Sequence, residues 1–374
     1  MIEALKGIRV VAVEHAVAAP LCSRHLSEMG AEVIKIERPV TGDFARAYDD
    51  FVFGEASHFS WLNRGKKSVV LDLKSVAGKQ QLLELLHNAD ILISNLAPGA
   101  FERILPDVEL DQLAHLIRCH ISGYGPEGPY ADRKAYDLLV QGEAGVIAST
   151  GDERQKARPG ISVADLAGGL YALAAINGAL VERSRSGLGQ RIDISLFDAL
   201  TEWMSPLLLA HKYTGVTPAP AGRGHASIVP YGPFATADRS EVQIAVQNDG
   251  QWQRLCTDVL DLQDLANDKS LATNSGRILE RQVVERKIAT SFATLPLKVA
   301  LERLEAADVP YGIMREVPEV ISHPQLVNRG RWTSAKNQAG KTFEALLPPF
   351  LKTAASLGVR KVPALGEHTK EVLG

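Results

Sequence analysis

Asp165 lies in the run RPGISVADLAGGLYALAAINGALVER, where the other residues from Val163 to Val181 are nearly all small or apolar. Burying an unpaired charge is costly, so an acid in such a place is paired, neutralised or put to chemical use. The plain alternative is an N-cap or first-turn acid that stabilises a long apolar helix. Basic residues gather at other points along the chain. Arg38 directly follows the run VIKIE, and Asn63, Arg64, Lys66, Lys67 and Lys74 surround SVVLDL. Any one of these lysines reads as part of a solvated edge. As a set at strand ends, where α/β sheets carry their ligand loops, they suit a ligand with several phosphates. SNLAPGAFER adds a turn and Arg103 after a further apolar run.

Several chemistries find no support. The loop EHAVAAP, residues 14–20, follows the first apolar run and contains no glycine, so a dinucleotide fingerprint is missing. No Walker pattern occurs, and the ten histidines show no metal-ligand spacing.

The elements that would position these residues alternate. Ile8–Val13, Val33–Glu37, Ser68–Leu73, Ile91–Ser94, Ile117–Ser122 and Gln190–Ser195 read as strands. Pro20–Met29, Ala77–His87, Tyr136–Ala148, Val163–Arg183 and Leu196–Tyr213 read as helices. Such alternation predicts an α/β fold with a mostly parallel sheet covered by helices. Near residue 214 the composition changes to TGVTPAPAGRGHASIVPYGP, a connector punctuated by proline and glycine. A hairpin around 238–240 follows, with helices at Gln251–Leu260, Arg277–Thr294 and Leu297–Ala307. The expected organisation is a large α/β domain at 1–213, a connector at 214–224, a smaller α+β domain at 225–320 and a tail at 321–374 that returns to the large domain.

The 374 residues exceed one ordinary core. A formal net charge of −3 argues against a nucleic-acid-binding role. The three cysteines are scattered and odd in number, which fits a reducing compartment. No signal peptide or membrane span is expected, so the expected location is cytoplasmic.

The chain resembles the class III CoA-transferase family, which includes formyl-CoA transferase, carnitine CoA-transferase and α-methylacyl-CoA racemase. The resemblance is carried, in order, by LKGIRVV, MGAEVIKIERP, LNRGKKSVVLDLK, NLAPGAFER, ISGYGPEGPYADRKAYDLLVQGEAGV, the Asp165 segment and LPPFLKTAASLGVRKVPALGEHTKEVL. It implies a Rossmann-like large domain and an interlocked homodimer, with coenzyme A as substrate and no permanently bound cofactor. It also implies that Asp165 is the catalytic nucleophile and that Ala16, Val17, Ala18, Arg38, Leu71, Asn95, Leu96, Arg103, Lys134 and Tyr136 lie around the CoA.

A carboxylate suits the reaction on chemical grounds. Attack on a donor thioester yields a mixed anhydride, and the released thiolate can convert this to an aspartyl-CoA thioester. Every step keeps the activation that a serine ester would lose. The start of the predicted helix is expected to help keep the carboxylate ionised. Racemase members use a His-Asp pair where this chain has Tyr136-Asp137, so one base for proton transfer is missing. The alternatives are a racemase-like isomerase and a non-catalytic acyl-CoA-binding protein on the same fold.

GRGHASIVPYGPF and NDGQW resemble the branch that acts on short C4–C5 dicarboxylates such as succinate, itaconate, mesaconate or citramalate. The carboxylate that does not react needs a cation or donor, and Arg46, Arg223 and His225 are the candidates.

Overall fold

The computed structural model describes residues 3–152, 154–352 and 358–374, so residues 353–357 of the last motif lie outside it. The chain forms two compact units, one of residues 1–146, 159–205 and 324–374 and the other of residues 147–158 and 206–323. The segments 147–158 and 206–213, expected in the large domain, thus go with the second unit.

The first unit is built on six parallel strands: β1 Arg9–Val13, β2 Glu32–Glu37, β3 Lys67–Val70, β4 Ile91–Ser94, β5 Ile117–Ser122 and β6 Arg191–Ser195. Their order is β3-β2-β1-β4-β5-β6, the doubly wound order of a Rossmann-like sheet. Helices on both faces explain why β1 and β4 are apolar almost throughout, with Val10, Val11, Ala12, Ile91, Leu92 and Ile93 all fully buried. The order reverses between β1 and β4, and ligands of such sheets bind at the carboxyl ends of the strands beside that reversal.

Helix Ala18–Glu28 leaves β1 at this point, and helix Val163–Ser186 packs on it. Gly169 makes the approach possible, because a Cβ there would stand 2.6 Å from the Ala18 carbonyl oxygen. Among the described residues, Val163–Ser186 is the one helix long and apolar enough, by length and composition alone, to cross a membrane. Here Ala164, Ala172, Ile176 and Ala179 lie in the core of the first unit.

The second unit has a three-stranded antiparallel sheet, β7 Tyr231–Ala235, β8 Glu241–Ala245 and β9 Tyr311–Ile313, in that order. Its helices bury Trp252, Leu255, Val284, Ile288, Phe292 and Leu304 in one apolar cluster. The tail is built of short elements. It forms a hairpin, β10 Trp332–Lys336 with β11 Thr342–Leu346, and β12 Arg360–Lys361 joins β10. The His368 N–H then donates to the Ser68 carbonyl at 3.0 Å, fastening the tail beside β3.

Three predicted helices are each broken in two. Leu196–Tyr213 becomes Leu196–Trp203 and Ser205–Thr214, since Pro206 lacks the N–H that would continue the ladder. Tyr136–Ala148 divides at Gly145, whose φ is +83°, and Arg277–Thr294 divides at Glu280. Gln251–Leu260 is helical only over Asp249–Arg254 before a wider turn at Leu255–Val259.

Candidate active site

The loop after β1 is held from two sides. The His15 N–H donates to Asn95 Oδ1 at 3.0 Å, and Asn95 Nδ2 donates back to the His15 carbonyl at 2.8 Å. The Ala16 N–H donates to Asp43 Oδ1 at 3.1 Å, which supports Ala16 at a φ of +61°. That left-handed conformation is unfavourable for a residue with a Cβ. Surrounding bonds over-determine it, a pattern found where a backbone must meet a ligand.

Beneath the loop lies a buried ionic cluster. Lys35 Nζ reaches Asp43 at 2.9 Å and Glu14 at 3.4 Å, while Lys66 Nζ reaches Glu14 at 2.6 Å. Glu37 accepts two bonds from Arg46, at 2.7 and 2.8 Å. Three acids face three bases, so the cluster is neutral as a whole. Burial alone would raise the Glu14 carboxyl, but Lys66 and Lys35 hold it below the usual carboxylate range. Burial pulls Lys66 down to about 8 in spite of Glu14.

Arg46 therefore spends its donors inside the fold. It pairs with Glu37, bonds the Pro363 carbonyl at 3.2 Å and stacks 3.8 Å over the Phe59 ring. This corrects its candidacy for a substrate carboxylate, because no planar donor pair is left to offer.

A cavity of about 390 Å³ opens at the carboxyl ends of β1 and β2. It brings Arg38, Leu71 and Leu96 together, joined by His15, Phe44 and Lys74. Asn95 borders it through the His15 backbone. Arg103 lies next to Ile104, which lines the cavity, and is itself exposed. Ala16, Val17 and Ala18 form the pinned loop and the helix start rather than the cavity wall. Lys134 and Tyr136 sit on the exposed approach to helix Asp137–Glu143.

Asp165 is the third residue of helix Val163–Ser186 and is half-buried. Ser162, at the N-cap, makes no side-chain cap bond. The cap comes from another helix instead. Asp137 Oδ1 accepts from the Ala164 N–H at 2.9 Å and from the Asp165 N–H at 3.4 Å. The N–H groups expected to stabilise an ionised Asp165 thus serve Asp137. Burial and then the Asp137 charge raise the Asp165 carboxyl to about 7. Tyr48 stands nearby, its hydroxyl raised to about 12 by burial, then by Asp43, Asp165 and Tyr136.

Tyr48, His15, Phe44, Asp43 and the capping role of Asp137 were not found from sequence. Asp43 alone had a local signal, an acid two residues before Ala45, whose N–H it caps at 2.9 Å.

In the second unit, Arg223 makes a two-pronged pair with Glu241 at 2.6 and 2.8 Å and remains largely exposed. His225 Nδ1 accepts from the Ser227 N–H at 3.1 Å, and its ring lies 5.1 Å from that of Tyr231. Arg223 and Tyr231 line a cavity of about 470 Å³. Among the described residues no cluster of His, Cys, Asp or Glu could hold a metal ion.

Residues 5–369 match the family described as CoA-transferase family III. The chain is 34% identical to the succinate–glutarate CoA-transferase of Agrobacterium fabrum, over 99% of this chain and 94% of that protein. It is 30% identical to the human succinyl-CoA:glutarate CoA-transferase, over 100% of this chain and 86% of that protein. Among solved structures, a CAIB/BAIF family protein from Brucella suis superposes with a TM-score of 0.81 at 31% identity, covering 98% of both chains. An orthorhombic crystal form of a Mycobacterium tuberculosis protein gives 0.85 at 26% identity, again covering 98% of both.

Proposed function

The chain belongs to CoA-transferase family III, and from that premise we propose that Asp165 carries CoA between an acyl-CoA donor and a C4–C5 dicarboxylate. The enzyme transfers CoA from acyl-CoA donors to small dicarboxylate acceptors. Succinyl-CoA is the donor we favour, because relatives bearing it in their names act on dicarboxylates of this size.

One Asp165 oxygen attacks the donor carbonyl. The C–S bond breaks, CoA leaves as thiolate, and a mixed anhydride remains. The thiolate then attacks the aspartyl carbonyl, releasing the donor acid as a carboxylate and leaving an aspartyl-CoA thioester. An acceptor carboxylate attacks that thioester and expels the thiolate. The thiolate takes the acceptor's acyl group and returns Asp165 to its ionised form. No net proton is consumed, so the site needs no separate general acid.

The single observation that supports this most is a half-buried Asp165 whose carboxyl is raised to about 7. A more basic carboxylate is a better nucleophile, and at neutral pH a large fraction is still ionised. Arg38, Lys74 and Arg103, exposed around the cavity of about 390 Å³, suit the CoA phosphates, with Leu71 and Leu96 as its apolar walls. With Arg46 engaged by Glu37 and Arg223 by Glu241, His225 is the candidate left for the distal carboxylate of the acceptor.

The working form we infer is a homodimer, interlocked as the family resemblance implies. Helix Ser205–Thr214 supports this: none of its residues is buried, and it exposes Leu208, Leu209 and Tyr213.

Incubation with succinyl-CoA followed by intact-mass and peptide mapping tests the nucleophile. We expect a CoA adduct on the peptide containing Asp165, absent from Asp165→Ala, whose transfer rate falls by several orders of magnitude. An adduct on a different peptide overturns the assignment.

A further inference from the structure

We propose that Asp137 is a positioning residue for the transfer reaction, capping the helix that bears Asp165 and fixing a second negative charge beside its carboxylate. The proposal rests on the reading of Asp165 as nucleophile. A helix start normally offers its first N–H groups to whatever anion is near. Here the Ala164 and Asp165 N–H groups both point to Asp137 Oδ1, at 2.9 and 3.4 Å, across 27 and 28 residues of sequence. Asp137 Oδ2 accepts a third bond from Gln141 Nε2 at 2.6 Å. Asp137 itself is buried, with 8% of its surface exposed.

This arrangement has two consequences for the nucleophile. The donors that would draw charge from the Asp165 carboxylate are taken by another acid. A second negative charge is also fixed at the same helix end. Both weaken Asp165 as an acid and strengthen it as a nucleophile. The same bonds hold the first turn of the helix, and so the direction from which Asp165 meets a thioester.

Other charged groups on the packed elements have partners of their own. On helix Ala18–Glu28, Arg24 and His25 lie beside Glu28, which also pairs with Arg64. On helix Leu196–Trp203, Glu202 accepts from Tyr171; Asp198 is the other acid of that helix. On β5, Arg118 pairs with Asp107 and Asp111, and His120 lies against Phe101. On β6, Arg191 pairs with Asp193. Glu143, on the helix of Asp137, pairs with Arg133. Tyr48 and Tyr136 are also titratable, Tyr48 lying near both Asp165 and Tyr136, and Asp137 is the charge that raises the Asp165 carboxyl.

Asp137→Asn separates charge from capping. The asparagine oxygen can still accept both N–H bonds. Its amide can donate to Gln141 Oε1, which has no hydrogen-bond partner among the described residues, once the Gln141 amide turns over. The test is the pH dependence of single-turnover adduct formation with succinyl-CoA, read by intact mass between pH 5 and 9 and compared with wild type.

In the wild type we expect the rate to fall as pH drops through about 7, as Asp165 is protonated. In Asp137→Asn this acid limb moves down by roughly one pH unit, as expected on removing a neighbouring like charge, while the plateau at high pH falls. Asp137→Ser, which can cap without charge, gives the same signature if the asparagine variant does not fold. An acid limb that stays in place in either folded variant, whatever happens to the melting temperature, overturns the proposal and leaves Asp165 as nucleophile. Failure of the wild type to form any adduct at Asp165 overturns the reading beneath it.

Discussion

At the scale of single residues, the Asp165 carboxyl carries a cost that the fold retains. Its ordinary value of 3.8 is raised to about 7, chiefly by burial and then by Asp137. The folded state therefore holds a proton that the unfolded chain has lost between those limits. Below about pH 4 both states are protonated and there is no penalty; as pH rises to 7 the native state loses stability, and above 7 the penalty is constant. Asp165→Asn has no such titration. We expect its stability advantage over wild type to grow by roughly 2–4 kcal/mol between pH 4 and pH 8. Urea denaturation at the two pH values measures it, and an advantage that does not change with pH would place the carboxyl in solvent. The variant expected to be more stable is thus the one expected to be inactive, as is common where strain is kept for chemistry.

At the scale of elements, two glycines of one helix should respond to the same substitution with opposite signs. Gly178 has open space around its missing Cβ, so Gly178→Ala should stabilise by about 0.5–1 kcal/mol through helix propensity. Gly169 faces the Ala18 carbonyl oxygen at 2.6 Å and Leu21 Cδ2 at 3.2 Å. A backbone oxygen cannot swing aside, so the two helices must part. Gly169→Ala should destabilise by about 1–3 kcal/mol despite the better propensity. Since Ala18 begins the helix that follows the pinned loop, the KM for acyl-CoA should rise as well. Urea midpoints and initial rates for both variants check the pair of signs. Equal and positive changes would show that the helices have room to spare.

At the scale of the whole molecule, the exposed apolar side chains of helix Ser205–Thr214 are those expected to meet a second copy. Leu208 and Leu209 are 50% and 53% exposed, and Tyr213 is 77% exposed. Burying such side chains between copies contributes on the order of 1.5–3 kcal/mol each. Leu209→Lys should therefore shift the protein from twice the chain mass towards the chain mass in sedimentation velocity at micromolar concentration. The adduct yield at Asp165 should fall with it if assembly completes the site. A variant that sediments like wild type would remove this helix from the interface.

Much of this protein is local in sequence. The apolar runs of β1 and β4, the Asp165 segment, the basic residues at strand ends and the order of motifs follow from side-chain type and periodicity. These determined the parallel α/β sheet and pointed to Asp165 as the candidate nucleophile. The breaks at Gly145 and at Met204–Pro206 also had local signals, but long apolar stretches masked them. Tertiary structure decided what depends on remote segments meeting. Asp137 and Asp165 are 28 residues apart, His15 and Asn95 are 80, and Arg46 and the Pro363 carbonyl are 317. Which acid receives a helix's N–H groups, and which arginine is left over for a substrate, is settled by packing. The sequence placed an acid at the start of an apolar helix and suggested that the helix would keep it ionised. The folded chain turned those donors to Asp137 and made Asp165 more basic, because a hydrogen bond belongs to the nearest well-aligned acceptor, whatever its distance along the chain.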